Sequence, residues 1–137
     1  MAQPVDPRVL GLTIAGGAVG VLARGLIVMP ITDPAVVPWV TLAINAVGSL
    51  LLGVIVGWLA DRHPLTRSFL GTGVMGGFTT YSAFAVALAG WAATPWLAAG
   101  LAAASVLAGV AGAIAGLFLG RRIADVPGEV EAVEDAQ

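Results

Sequence analysis

The sequence predicts an all-α integral membrane protein of four transmembrane helices, the third broken near its middle. Composition says membrane: of 137 residues, 58% are hydrophobic and 10% charged, with a mean hydropathy of +0.97. A soluble domain carries about a quarter of its residues charged. Length says four spans: apolar stretches over about 9–29, 37–60, 68–91 and 97–120 can each cross a bilayer. The break is announced by residues 71–84, where Gly76, Gly77, Thr79, Thr80 and Ser82 form a cluster of poor helix formers. Unpaired backbone groups in lipid are costly, so a break survives only where it lines a cavity or holds an ion. An ion site is the reading for this stretch, against a glycine packing seam.

Residues 1–7 are polar and expected to be loose. The first span carries Gly16, Gly17 and Gly20, small residues that let helices approach closely, followed by Arg24. An arginine inside a span serves a pathway or partner, or snorkels to the interface from near the span's end, and both readings stand. After a short loop, 30–38, with Asp33 and Pro34, the second span places Asn45 among Gly48, Gly53 and Gly57. Its amide can join two helices or turn its NH₂ group to a dehydrated anion. The next loop, 61–67, is the most charged between helices and holds the one histidine, His63, read as solvated.

In the third span Tyr81 and Phe84 stand three residues apart and so on one helical face. Trp91 and Trp96 bracket the following turn around Pro95, as in an aromatic belt at a membrane surface. The fourth span has Gly112, Gly116 and Gly120 at four-residue steps, a flat face for backbone contact. Its one hydroxyl, Ser105, is expected to bond its own helix. Arg121 and Arg122 suit the negative end of that helix's dipole. Residues 1–124 thus form the membrane unit, and the acidic stretch 125–137, without hydrophobic pattern, is expected to be disordered.

Several chemistries are excluded. There is no cysteine, hence no disulfide and no thiolate metal site. The spans contain no Asp, Glu, His or Lys, which counts against proton-coupled transport. No hydrolytic triad, metal-ligand cluster or phosphate loop points to an enzyme, and no basic block points to nucleic acid. What the membrane contains is hydrogen-bond donors: Asn45, Thr79, Thr80, Ser82, Ser105 and the Tyr81 hydroxyl. With the positive edges of aromatic rings, they suit a small anion. Unwound carbonyls near Gly76 and Thr79 would suit a hard cation such as Na⁺.

These residues resemble a known family. Gly76-Gly77-Phe78-Thr79-Thr80-Tyr81-Ser82-Ala83-Phe84 is similar to the Gly-Gly-x-Thr-Thr-Phe-Ser-Thr-Phe signature of Fluc (CrcB-type) fluoride channels. Gly16, Gly17 and Gly20 with Arg24 resemble its first-span motif, and Asn45 with Gly48 its Asn-x-x-Gly. The resemblance implies a passive fluoride channel that relieves toxicity, built as an antiparallel dimer of four-helix subunits with two pores. It implies that Tyr81 and Phe84 take the ring positions beside fluoride, and that Asn45 is the pore asparagine. Ser82 would continue a polar track, with Arg24 near the vestibule; Ser105, from the donor set, is read as a further pore-lining group. It also implies a structural Na⁺ at the dimer centre, held by the carbonyls of Gly76 and Thr79. The chain departs from the pattern at Tyr81, Ala83, Ala87 and Ala113, where Phe, Thr or Ser, Glu and Ser are usual.

The charges add a topology. With four spans, Arg8, Arg62, Arg67, Arg121 and Arg122 fall on one side, while the first and third loops have no Lys or Arg. By the positive-inside rule that side, with both termini, is cytoplasmic. The expected partner is therefore a related chain of opposite orientation and charge bias, a homodimer being the alternative. Two other functions compete: a small multidrug-type proton-coupled exporter, which would need an intramembrane carboxylate, and a non-conducting accessory subunit of a heterodimeric channel. Tags on the two termini should both be reached from the cytoplasm alone. A substantial externally labelled fraction would defeat the one-way insertion.

Overall fold

The structure, a computed structural model, describes residues 6–60, 62–91 and 93–125. Residues 1–5, Asp61, Ala92 and the acidic stretch from 126 onward lie outside the described residues, and with them most of the expectations of looseness and disorder; Asp6 and Pro7, expected to be loose, instead start α1, the Asp6 carboxylate accepting from the Arg8 amide at 2.9 Å. Among the described residues all regular structure is helical: α1 (Pro7–Val28), α2 (Val37–Leu59), α3 (Pro64–Arg67), a π-helical segment (Ser68–Met75), α4 (Gly76–Phe78), α5 (Ser82–Gly90) and α6 (Pro95–Ala124). Everything from α3 to α5 belongs to one span, so four membrane-crossing units result.

Each span opens on a proline in its first turn: Pro7, Pro38, Pro64 and Pro95. There the missing N–H has no helical partner to lose and the fixed φ favours the helix. This is why the third span starts at Pro64, inside the stretch expected to be loop. Ser68 Oγ reinforces that turn by donating to the Pro64 carbonyl at 2.9 Å. Likewise the fourth span starts at Pro95, two residues before its expected start, and runs on to Ala124.

The spans pack as two parallel pairs, α1 with the third span and α2 with α6, whereas α1 barely touches α2. Glycines set both seams. Gly16 lies against Phe69, Gly73 and Val74, and Gly20 against Val74, Gly77 and Phe78. In the second seam Gly53 meets Ala113 and Gly57 meets Leu117, while Gly112, Gly116 and Gly120 receive Ala46, Leu50 and Val54. Partners advance together along both helices, which makes each pair parallel. Sequence neighbours usually pack side by side. Here small residues direct each span to the next but one, since van der Waals contact, not water exclusion, drives helix association in lipid.

Few large side chains are buried: Ile44, Leu59, Met75, Phe84 and Leu101 form the core with Thr41. Leu22, Leu26, Leu107 and many others face outward. At one end, the T-shaped pair of Trp39 and Trp91 (centroids 6.2 Å apart) ties the start of α2 to the end of the third span. Trp96 points into open surroundings. At the opposite end the starts of α1 and the third span meet the ends of α2 and α6, which gathers Arg8, Arg62, Arg67, Arg121 and Arg122 there.

A Cβ on Gly20 would collide with the Val74 carbonyl oxygen, whereas one on Gly25 meets nothing within 4 Å. Gly20→Ala should therefore destabilise the fold by about 1–3 kcal/mol, the usual range for overpacking. Gly25→Ala should be neutral or stabilising by up to about 1 kcal/mol. Unfolding titrations in mixed detergent micelles compare the two, and equal effects would refute the seam.

Candidate functional site

The third span contains two departures from an α-helix. Over Ser68–Met75 it is π-helical, a form found mostly as short bulges at functional sites. Between α4 and α5 it leaves the helix altogether at Thr79–Tyr81. The break falls on the threonines rather than on the glycines, since Gly76 and Gly77 stay helical and Thr79 turns extended (φ −76°, ψ 154°). Thr79 closes the preceding turn twice over, its amide and its Oγ1 both donating to the Met75 carbonyl, at 3.0 and 2.9 Å.

Neighbouring side chains serve the backbone groups that the break exposes. Asn45 pairs with the Thr80 backbone as another strand would: Nδ2 donates to the Thr80 carbonyl (3.0 Å) and Oδ1 accepts from the Thr80 amide (2.9 Å). The Thr80 Oγ1 accepts from the Ala83 amide at 3.2 Å and so caps α5. Arg24 Nε donates to the Gly77 carbonyl at 3.4 Å. The half-buried Arg24 thus turns inward to the end of α4, where a cation suits exposed carbonyls. Snorkelling, one of its two readings, is not what it does.

Three carbonyls at the break, those of Gly76, Phe78 and Thr79, have no hydrogen bond to a described residue, and two of these residues border one groove. In a continuous α-helix the Gly76 carbonyl would take the amide of Thr80, and that of Thr79 the amide of Ala83. Asn45 and Thr80 Oγ1 have captured those amides. Gly76 and Thr79 both line a groove of about 370 Å³ with Thr72 and Met75. Among the described residues no three His, Cys, Asp or Glu side chains come together that could hold a metal.

A cavity of about 280 Å³ adjoins the groove through Thr79 and brings Asn45, Ser49, Thr80, Tyr81 and Phe84 together. Both rings border this cavity, and the helical register holds from Tyr81 on, whose carbonyl accepts the Ala85 amide at 2.8 Å. Tyr81 precedes the first residue of α5 and is 83% exposed, while Phe84 is 8% exposed and packed in the core. Ser82 opens onto a different, largely apolar cavity with Pro38, Val86 and Trp91, though its Oγ lies 3.3 Å from Thr80 Oγ1. Ser105 makes no bond to its own helix: its Oγ is buried and finds no partner among the described residues. The register that sets Gly109 beside Ser49 Oγ places Ser105, one turn earlier, at the height of Asn45. Ala113 sits in the α2–α6 seam, its carbonyl against Gly53.

Sequence reasoning missed Ser49, Thr72 and the π-helical segment. Thr72 could have been found from its seven-residue spacing to Thr79, which puts both on one helical face. Nothing in the residue pattern announces an i→i+5 hydrogen-bond register.

The chain is similar to known proteins over most of its length. Residues 12–117 match the family described as "CrcB-like protein, Camphor Resistance (CrcB)". A protein of Novosphingobium aromaticivorans named "Fluoride-specific ion channel FluC" is 49% identical over 117 residues, covering 80% of this chain and 93% of its own length. One of Hyphomonas neptunium with the same name is 42% identical over 120 residues, covering 82% and 94%. "Fluoride-specific ion channel FluC 2" of Leifsonia xyli is 40% identical over 124 residues, covering 85% and 86%.

Asn45→Leu keeps an apolar volume but leaves the Thr80 amide and carbonyl unpaired, at a cost of roughly 1–3 kcal/mol each. Hydrogen exchange of the Thr80 amide should quicken markedly and the unfolding midpoint should fall. Unchanged exchange at Thr80 would show that the pair does not hold the break.

Proposed function

The chain belongs to the CrcB family, and we infer from this that it is a subunit of a fluoride-selective channel. Through it cytosolic fluoride leaves down its gradient, which relieves toxicity. It is a multi-pass membrane protein and not an enzyme. The observation that carries the reading is the broken third span, held open by Asn45 beside a cavity lined by Thr80, Tyr81 and Phe84.

Fluoride only accepts hydrogen bonds, so a dry route must offer donors in place of water. The hydroxyl hydrogen of Thr79 is committed to Met75, and one N–H of Asn45 to Thr80. The second N–H of Asn45, the Tyr81 and Ser105 hydroxyls, and whichever of Thr80 and Ser82 does not donate to the other are the groups that can turn to the ion. The edge of the Phe84 ring adds a weak positive field. Passive conduction fits a membrane interior without Asp, Glu or His. A proton-coupled exporter would have no group to work through.

The Gly76 and Thr79 carbonyls have the right chemistry for the structural Na⁺ that the resemblance implies, being hard oxygen donors without helical partners. Two oxygens are few for such an ion, so a partner subunit would supply the rest. We read the assembly as an antiparallel dimer with a related chain of opposite orientation, a homodimer being the alternative, and both termini of this chain as cytoplasmic. Three features support this: an exposed Tyr81 ring within a span, a Gly76 face open for at least 4 Å, and the one-sided arginines. The number in the Leifsonia xyli relative's name also fits an organism with more than one such chain.

Liposomes carrying the chain, alone and with its candidate partner, should release fluoride to an electrode, and Asn45→Asp should suppress that release strongly. The variant adds a negative charge and loses the donor to the Thr80 carbonyl. No release in either preparation would overturn the channel, whereas release indifferent to Asn45→Asp would make this chain an accessory subunit. Replacing Na⁺ by a large organic cation should reduce activity, and full activity without Na⁺ would remove the cation alone.

A further inference from the structure

We propose that Ser49 is a further fluoride-contacting residue, whose hydroxyl meets an ion from the arginine-bearing end one helical turn before Asn45 does. This inference rests on the channel reading and adds Ser49 to the donors already named. Asn45 and Ser49 stand four residues apart on α2, hence on one face, and both line the cavity of about 280 Å³. The end of α2 lies among the arginines, which sets Ser49 on that side of Asn45.

The other hydroxyls of the spans behave differently. A serine or threonine within a helix ordinarily donates to the carbonyl four residues back. Thr41 does so to Val37, Ser68 to Pro64 and Thr79 to Met75, each at 2.9 Å. Ser49 has the Asn45 carbonyl at the same spacing, yet its Oγ has no hydrogen-bond partner among the described residues. Instead Oγ lies beside Gly109 of α6, 3.4 Å from where a Cβ would stand. A glycine offers no side chain to bond, so Ser49 does not tie α2 to α6 as an intramembrane serine can. The missing side chain also leaves the hydroxyl room to turn. Ser105 Oγ is buried as well as unpartnered, whereas Ser49 borders an open cavity.

An idle hydroxyl near the middle of a span is costly in lipid, where no water replaces the missing partner. The cavity gives room for a ligand, and the chemistry of its wall selects the class. No acidic or basic side chain is among the described residues that line it. Asn45 has one N–H uncommitted, while its Oδ1 accepts from Thr80. The Thr79 hydroxyl hydrogen is spent on Met75. What α2 presents is therefore two neutral donors, which suit a small acceptor such as fluoride. Side chains one turn apart have Cβ atoms about 5–6 Å from each other. Two hydrogen bonds of about 2.8 Å span that distance, so one small ion can bridge both donors. A larger halide, needing longer contacts, fits the pair less well.

Fluoride release from liposomes carrying the chain with its candidate partner is compared among three forms. Ser49→Ala should slow release about tenfold, the worth of one hydrogen bond to a charged group. Ser49→Thr, which keeps the hydroxyl, should retain most of the rate. A second measurement uses the unaltered chain and partner in micelles, with this chain labelled at side-chain amides and at serine Cβ. Fluoride should shift the Asn45 Nδ2 and Ser49 Cβ resonances along one saturation curve, and chloride at equal concentration should shift neither. Normal release with Ser49→Ala, an equal loss with folded Ser49→Thr, or a fluoride shift at Asn45 without one at Ser49 would each overturn the proposal. No release from the unaltered protein would overturn the channel reading itself, and this proposal with it. The resonance titration needs no variant, so it decides even if Ser49→Thr fails to fold.

Discussion

Two hydrogen bonds between one side-chain amide and one backbone peptide, Asn45 and Thr80, make the rest of this structure tenable. In water an interrupted helix turns its loose ends to solvent. At membrane depth each loose N–H or C=O must find protein, and Asn45 is the side chain that supplies a donor and an acceptor together. The same pairing diverts the Thr80 amide from its helical acceptor, which leaves the Gly76 carbonyl exposed. The interruption and the unpaired oxygen beside it therefore have one cause.

The break is also where the two helix pairs communicate. The glycine seams join α1 to the third span and α2 to α6, while between the pairs Gly48 lies against the Thr79 and Phe78 side chains and Gly71 against Leu52 and Ile55. Asn45 reaches across from α2, while Arg24 reaches the other side of the same break from α1. A polar junction thus fastens together two units whose own cohesion comes from close backbone contact. Its location at the meeting of three helices gives the cavity walls from separate elements and holds them without a large apolar core.

Much of this was legible in the sequence, for identifiable reasons. The spans follow from apolar length, and the break from a cluster of residues that no membrane helix tolerates without cause. Its position within the span shifted by a few residues because glycine's weak helix propensity yields to packing: Gly77 stays helical against Gly17, where the close approach needs it. That the Tyr81 ring is exposed while Phe84 is buried was not legible, because spacing gives direction and not depth. The bond expected of Ser105 was not made, and the fates of Arg24 and of the Asn45 amide depend on which backbone groups are left bare elsewhere. Such dependence is tertiary and has no local signature. The one-residue surplus of the π-helical segment was invisible for the same reason.

That segment has a consequence for how the chain tolerates insertion and deletion. Each residue of a helix advances it by about 100°. A π-helical turn, with its i→i+5 bonds, advances less per residue. Losing one residue between Ser68 and Met75 would therefore let this stretch relax to the ordinary pitch and leave the rest of the span nearly in phase. A residue gained or lost between Met75 and Thr80 has no such wide turn to absorb it, and would swing Thr80 by more than a quarter turn away from Asn45. The wide turn acts as slack ahead of the interruption, and it is beyond that slack that length is constrained more tightly than side-chain identity.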